Sequence, residues 1–210
     1  DVDKITGQIT PQTVLECCIK NNLKKIKALM LMYHGGHPLN AEKFYKIKKQ
    51  LNCYIIEDAC HALGAEYKFK NKFYKIGSCK HSDLSTFSLH PLKIITTGEG
   101  GIVTTNSKLL SKRIKLFRSH GISRLNGKHW NYDVLISGLN FRLNDFQCAL
   151  GISQLKNIKH FINKRTILAK NYRKAFSGIK YFKTNQFDKN YRSSYHLFMM
   201  SCDKLSKNKK

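Results

Sequence analysis

The chain has 210 residues, 41% of them hydrophobic and 11% aromatic, enough for one sizeable core and short for two. No apolar run approaches the roughly 18 residues of a membrane span, and Asp1-Val2-Asp3-Lys4 lacks the apolar centre of a signal peptide, so a soluble cytoplasmic protein is expected. The formal charge of +25 would favour nucleic acid through counterion release, yet the lysines are spread along the chain, with concentrations only at 156–174 and in the tail Lys204–Lys210.

Seven cysteines (17, 18, 53, 60, 79, 148 and 202) make an odd number with no Cys-x-x-Cys pair. Cys53, Cys60, Cys79 and His81 are the nearest thing to a ligand set, but the 18 residues between Cys60 and Cys79 and the lack of a tight knuckle weigh against zinc. The expectation is free thiols in a reducing compartment and no metal.

Thr10-Pro11 reads as an N-cap followed by proline at the first helical position, opening a helix to about Lys20. The run 28–33 is strand-length and ends in the turn His34-Gly35-Gly36. Asn40 can cap a second helix to about Leu51 with Phe44, Ile47 and Leu51 on one face, and 53–56 follows as a short apolar strand. Strand, helix, strand in this order implies a parallel sheet covered by helices, because parallel neighbours need a crossover. Asp58 then falls just past the carboxyl end of a strand, the edge where ligands collect in open α/β sheets.

Residues 83–89 and 102–105 read as further strands on either side of a turn in which Thr97, Gly98, Gly100 and Gly101 leave little side-chain bulk. Ser107 can cap a helix through Phe117, and 118–140 is turn-rich and carries the only tryptophan, Trp130. Helical pattern resumes from Leu143, with Asn144 as cap and Phe146, Leu150 and Leu155 apolar. It continues at 157–177 as a basic amphipathic helix whose stripe is Ile158, Phe161, Ile162, Leu168, Tyr172 and Phe176. Residues 195–200 read as one more strand.

Between residues 85 and 105 only Lys93 and Glu99 are charged. A lysine in so apolar a stretch is a candidate nucleophile, since burial penalises the ammonium and frees an amine that can attack a carbonyl. A chain with 38 Lys+Arg also places some lysines beside apolar residues by chance, with their heads reaching water.

Order separates the two readings. Asp58-Ala59-Cys60-His61-Ala62-Leu63-Gly64, then Ser88-Leu89-His90-Pro91-Leu92-Lys93, then Thr97-Gly98-Glu99-Gly100-Gly101 resemble the DegT/DnrJ/StrS family of nucleotide-sugar aminotransferases, which use pyridoxal phosphate. The resemblance implies a fold-type-I transferase. Residues 1–156 would belong to its large cofactor-binding domain, and 157–210 would be a connecting helix and the start of a small C-terminal domain.

It also implies roles: Lys93 as the Schiff-base residue, Asp58 as partner of the cofactor's ring nitrogen, His61 near its phenolic oxygen and Ser88 on its phosphate. Gly138-Leu-Asn140-Phe-Arg142 is similar to the segment with which one subunit reaches its neighbour's site, with Asn140 on the phosphate and Arg142 on the substrate side of a homodimer. For Arg142, a surface ion pair is an equally good reading. The family carries further segments before and after the equivalents of Asp1 and Lys210, so the chain is expected to be a piece of a longer enzyme.

Ser88–Gly101 together with Lys115–Gly121 looks most like the branch that aminates C4 of a UDP-linked 4-keto-6-deoxy-N-acetylhexosamine, with glutamate as donor, on the route to pseudaminic acid. Perosamine-type and legionaminic-type aminotransferases share most of these residues. The charge of +25 would suit a cleft for a sugar nucleotide as well as a basic nucleic-acid-binding module, the alternative from another class. A dehydratase of the same fold carries histidine where this chain has Lys93.

Overall fold

The computed structural model describes residues 1–124, 130–184 and 188–202; the expected basic tail Lys204–Lys210 lies outside them. Helix α1 (Pro11–Lys20) starts at a reciprocal cap, in which Thr10 Oγ1 accepts from Thr13 N at 3.2 Å and Thr13 Oγ1 accepts from Thr10 N at 2.8 Å. Strand β1 (Ala28–Met32) buries Leu29 and Leu31 by simple alternation and runs into a single 3-10 turn, His34–Gly36. Helix α2 (Ala41–Leu51) buries Ala41, Phe44 and Ile47. Asn40 precedes it as expected but takes a left-handed conformation at φ 58° with no side-chain cap bond.

Strand β2 (Tyr54–Asp58) follows, then a hairpin of β3 (Glu66–Phe69) and β4 (Lys72–Lys75) that the sequence reading left out. Its two-residue turn is Lys70-Asn71, both at positive φ (45° and 62°), where a glycine would have advertised the hairpin. Strands β5 (Leu84–Ser88) and β6 (Gly101–Thr104) complete the main sheet. Its order is β1-β2-β5-β6, with β1, β2 and β5 parallel and β6 antiparallel, so the expected mostly parallel α/β sheet is present.

Helix α3 (Lys108–Arg118) is capped by Ser107, whose Oγ accepts from Leu110 N at 3.3 Å. The turn-rich stretch after it holds a small ribbon of β7 (Ile122–Arg124) and β8 (Tyr132–Val134). Helices α4 (Asp145–Lys156) and α5 (Ile158–Phe176) are separate, divided at Asn157. Strands β9 (Phe182–Thr184), β10 (Tyr191–Arg192) and β11 (Met200–Cys202) follow. Strand β10 adds to β3, and β11 pairs with β9.

Two expectations need correction. Residues 195–199 form no strand, because their backbone groups bond to the 35–36 turn and to a side chain of α5 instead of to a ladder. The inner stripe of α5 runs through Ile158, Phe161, Ile162, Arg165 and Ala169, whereas Leu168 and Tyr172 are exposed. Arginine supplies part of that stripe, so counting apolar residues alone rotated it.

The main core joins α1, β1, α2, β2 and the hairpin through Val14, Leu31, Phe44, Ile47, Ile55 and Tyr67. A second cluster of Leu89, Ile94 and Ile95 is covered by Ile158, Phe161 and Ile162 of α5. Among the described residues no helix is long and apolar enough to cross a membrane. Phe44 is 1% exposed, and Phe44→Ala should destabilise the fold by about 3–5 kcal/mol in urea unfolding followed by circular dichroism.

Candidate functional site

Parallel register places Met32 and Asp58, the last residues of β1 and β2, abreast of Thr86, two residues before the end of β5. The residues just beyond them line one edge of the sheet, where the next peptide bonds are no longer part of the ladder and can face a ligand. Asp58 Oδ1 accepts from Cys60 N at 3.2 Å, a local turn that folds Cys60 and His61 back toward the strand end. Ala59 N donates to Thr86 O at 2.9 Å and ties the same turn to β5.

His61 Nδ1 accepts from Gly35 N at 3.4 Å, which leaves its Nε2 to carry the proton and act as a donor. The rings of His34 and His196 stand 5.9 and 4.3 Å from that of His61. Burial first, then the positive charge of Lys93 and then that of His34, hold His61 below the ordinary imidazole range. Burial first, then the neighbouring charges of His61, Lys93, Arg165 and His34, lower His196 to about 4. Beside them burial, with the Asp58 carboxylate second, pushes the Cys60 thiol up to about 11.

Lys93 is half-buried on the loop after β5, where its N donates to His90 O at 2.9 Å. Ile94 and Ile95 follow directly and are buried against Leu89 and α5, so the lysine sits on a loop that cannot drift. Thr97 N donates to Leu89 O at 3.0 Å and Thr96 Oγ1 donates to the same oxygen at 3.0 Å, closing the loop on itself. Ser88, the last residue of β5, accepts from His90 N at 3.4 Å through Oγ and keeps its own hydroxyl proton to donate.

His61 therefore lies within electrostatic reach of both Lys93 and Asp58, with Ser88 at the end of the neighbouring strand β5. Asn140 is held elsewhere, in an antiparallel bridge with Ser119, and Arg142 is exposed. A carboxylate, an amine, an Nε2–H donor and a hydroxyl at one sheet edge match what pyridoxal phosphate asks of ring nitrogen, aldehyde, phenolic oxygen and phosphate. The donor set fits that cofactor.

Two histidines of this site, His34 and His196, were missed from the sequence because each lies far along the chain from the motif. A turn ending β1 was the only signal for His34. Among the described residues no group of three or more His, Cys, Asp or Glu is placed to hold a metal. Cys53 is in the main core, Cys79 lies against Ser85 and Thr104, and His81 accepts or donates with Tyr67 Oη at 2.8 Å, so the imagined zinc ligands have separate surroundings. A hollow of about 430 Å³ beside α3, lined by Thr105, Ser107, Lys108, Lys112 and Lys115 among others, contains none of the site residues.

The chain is 42% identical over 184 residues to a UDP-4-amino-4,6-dideoxy-N-acetyl-beta-L-altrosamine transaminase of Campylobacter jejuni subsp. jejuni strain 81-176, covering 88% of this chain and 47% of that protein. Helicobacter pylori PseC, described as an aminotransferase involved in the biosynthesis of pseudoaminic acid, superposes with a TM-score of 0.83 at 35% identity over 96% of this chain and 51% of that one. The aminotransferase TlmJ from Streptoalloteichus hindustanus, at 22% identity and a TM-score of 0.84 over 97% of this chain and 52% of its own, shares the fold. These likenesses bear out the expected fold-type-I architecture, and the chain spans about half the length of the relatives it matches. The profile of the DegT/DnrJ/EryC1/StrS aminotransferases matches residues 1–210, and the chain belongs to that family.

Proposed function

We propose that the protein is a pyridoxal-phosphate-dependent aminotransferase that moves an amino group from glutamate to C4 of a UDP-linked 4-keto-6-deoxy-N-acetylhexosamine. The observation that carries this reading is the convergence of Lys93, Asp58 and His61 at the carboxyl edge of a parallel sheet. The substrate class is supported by the transaminase from Campylobacter jejuni and by PseC, at 42% and 35% identity. Residues 1–156 would form part of the large domain and 157–210 the connecting helix and the start of the small one, in a protein of the cytoplasm.

When bound, pyridoxal phosphate supplies an aldehyde and an electron-withdrawing ring that together let one amino group be accepted and passed on. Lys93 would hold the aldehyde carbon and afterwards move a proton at the substrate carbon through Nζ. Asp58 would keep a proton on the ring nitrogen by the charge of its carboxylate. His61 would donate from Nε2 to the phenolic oxygen, and Ser88 from Oγ to the phosphate.

Asn140 would reach the phosphate of a neighbouring subunit, and Arg142 its substrate. A homodimer is supported by the apolar surface around them: Phe146 is 88% exposed, and Leu139, Phe141, Leu150, Ile152 and Leu155 are exposed as well. An apolar area of that kind on α4 and the segment before it suits a second copy, because like faces pair about a twofold axis.

Three outcomes follow. Borohydride reduction of the protein with pyridoxal phosphate should leave the pyridoxyl group on Lys93 in peptide mapping, and Lys93→Ala should lose it while remaining folded; a label on another lysine, or salt-dependent retention of RNA or DNA with no cofactor uptake, would reverse the reading. Asp58→Asn keeps size and loses charge, so turnover should fall about 10²- to 10³-fold with the fold intact by circular dichroism. Phe146→Glu places a charge in the apolar face and should shift sedimentation from dimer to monomer.

A further inference from the structure

We propose that His196 is a positioning residue for His61, its ring forming the wall that seats the His61 imidazole in one orientation and one tautomer. Nothing in the sequence motif around Asp58 reaches so far along the chain. The proposal rests on the aminotransferase reading only for the identity of the ligand that His61 then meets.

The ring centroids are 4.3 Å apart at an interplanar angle of 39°, a packed pair rather than neighbours in passing. His196 Nδ1 is buried with no hydrogen-bond partner among the described residues, so packing and not hydrogen bonding through that nitrogen fixes the ring. The backbone is fixed too. Arg165 Nη1 donates to the carbonyls of Tyr195 and His196 at 3.2 Å each.

The segment carrying His196 clamps the same peptides that hold His61. Gly35 N donates to His61 Nδ1 at 3.4 Å, while Gly35 O accepts from Leu197 N at 3.2 Å. Gly36 O accepts from Ser194 N at 3.1 Å and from Ser193 Oγ at 2.9 Å, and Ser194 Oγ donates to His61 O at 2.8 Å. Residue 36 has to be glycine: its φ is 90°, and a Cβ there would strike Ser194 Oγ and His61 O. Ring and backbone of His61 are thus both in the grip of residues 193–197.

Burial first, and then the charges around the pair, keep it neutral. His61 faces Lys93 and His34, with Asp58 as the one acid, and His196 faces His61, Lys93, Arg165 and His34. A neutral His61 whose Nδ1 is occupied by Gly35 N–H has one tautomer left, with the proton on Nε2. Removing the His196 ring would admit water beside His61 and weaken both constraints.

The test is nitrogen and carbon NMR of histidine side chains in the full-length protein with no cofactor added, the His61 signal being assigned with His61→Gln. In the wild type His61 should show the Nε2–H tautomer and a titration midpoint below the ordinary imidazole value. In His196→Ala the midpoint should rise toward the ordinary imidazole value, with both tautomers present. His196→Phe keeps an aromatic wall and should restore the wild-type signal. An unchanged His61 signal in His196→Ala, or a phenylalanine variant that fails to restore it, would overturn the proposal. If the alanine variant unfolds, the phenylalanine variant decides alone by whether its His61 tautomer is single or mixed. No cofactor enters this measurement, so it stands or fails separately from the trapping of Lys93.

Discussion

Everything at the site depends on the in-register parallel pairing of β1, β2 and β5. Strands β1 and β2 end abreast at Met32 and Asp58 and β5 runs two residues past the level of Thr86, so the three chain segments that leave them emerge at one edge of the sheet. His34 leaves from β1, His61 from β2, and Ser88 with the Lys93 loop from β5. Helices α1 and α2 cover the face of the sheet that buries Leu29, Leu31 and Ile55, while Met30 and Tyr54 on the other face are exposed. The antiparallel β6 brings the chain back from the Lys93 loop, and Gly101 opposite Ser88 lets the two backbones close up at the loop's base.

Rigidity at Lys93 has a separate source. The loop that carries it is anchored by Ile94 and Ile95, whose burial depends on Ile158, Phe161 and Ile162 of α5. A long helix far along the chain is therefore part of the support of the site. The strand β10 reinforces the same connection by joining β3, so residues 191–192 belong to a sheet begun by residues 66–75.

The sheet and its helices were legible because their signals are local: a capped helix at Thr10-Pro11, alternating burial in β1 and an apolar run in β2 each declare themselves within a few residues. Lys93, Asp58, His61 and Ser88 stood out as candidates because they occur in fixed order beside small residues. What was hidden has physical reasons. The β3–β4 hairpin turns on Lys70-Asn71, a pair with no glycine, so its turn carried no signal although Tyr67 and Phe69 alternate with polar residues as in a strand. The stretch 195–199 looks like a strand by composition, yet its hydrogen bonds go to a turn and to Arg165, a choice that only tertiary contact can make. His34 and His196 became site residues through folding, not through spacing.

Glu57, the neighbour of Asp58 on β2, gives the strand a further property. It is 3% exposed, accepts from Tyr33 Oη at 2.9 Å, from Gly77 N at 3.3 Å and from Ser85 Oγ, and burial raises its carboxyl above the usual range. Adjacent residues of a strand face opposite ways, so two acids in succession stand in two media, one enclosed by donors and one at the ligand edge. A slip of β2 by one residue would exchange them, pull Ile55 out of the core and press Asp58 among donors set for a longer side chain. Misregister is thus penalised by charge and by packing together, and the strand that presents the site also proofreads its own alignment during folding.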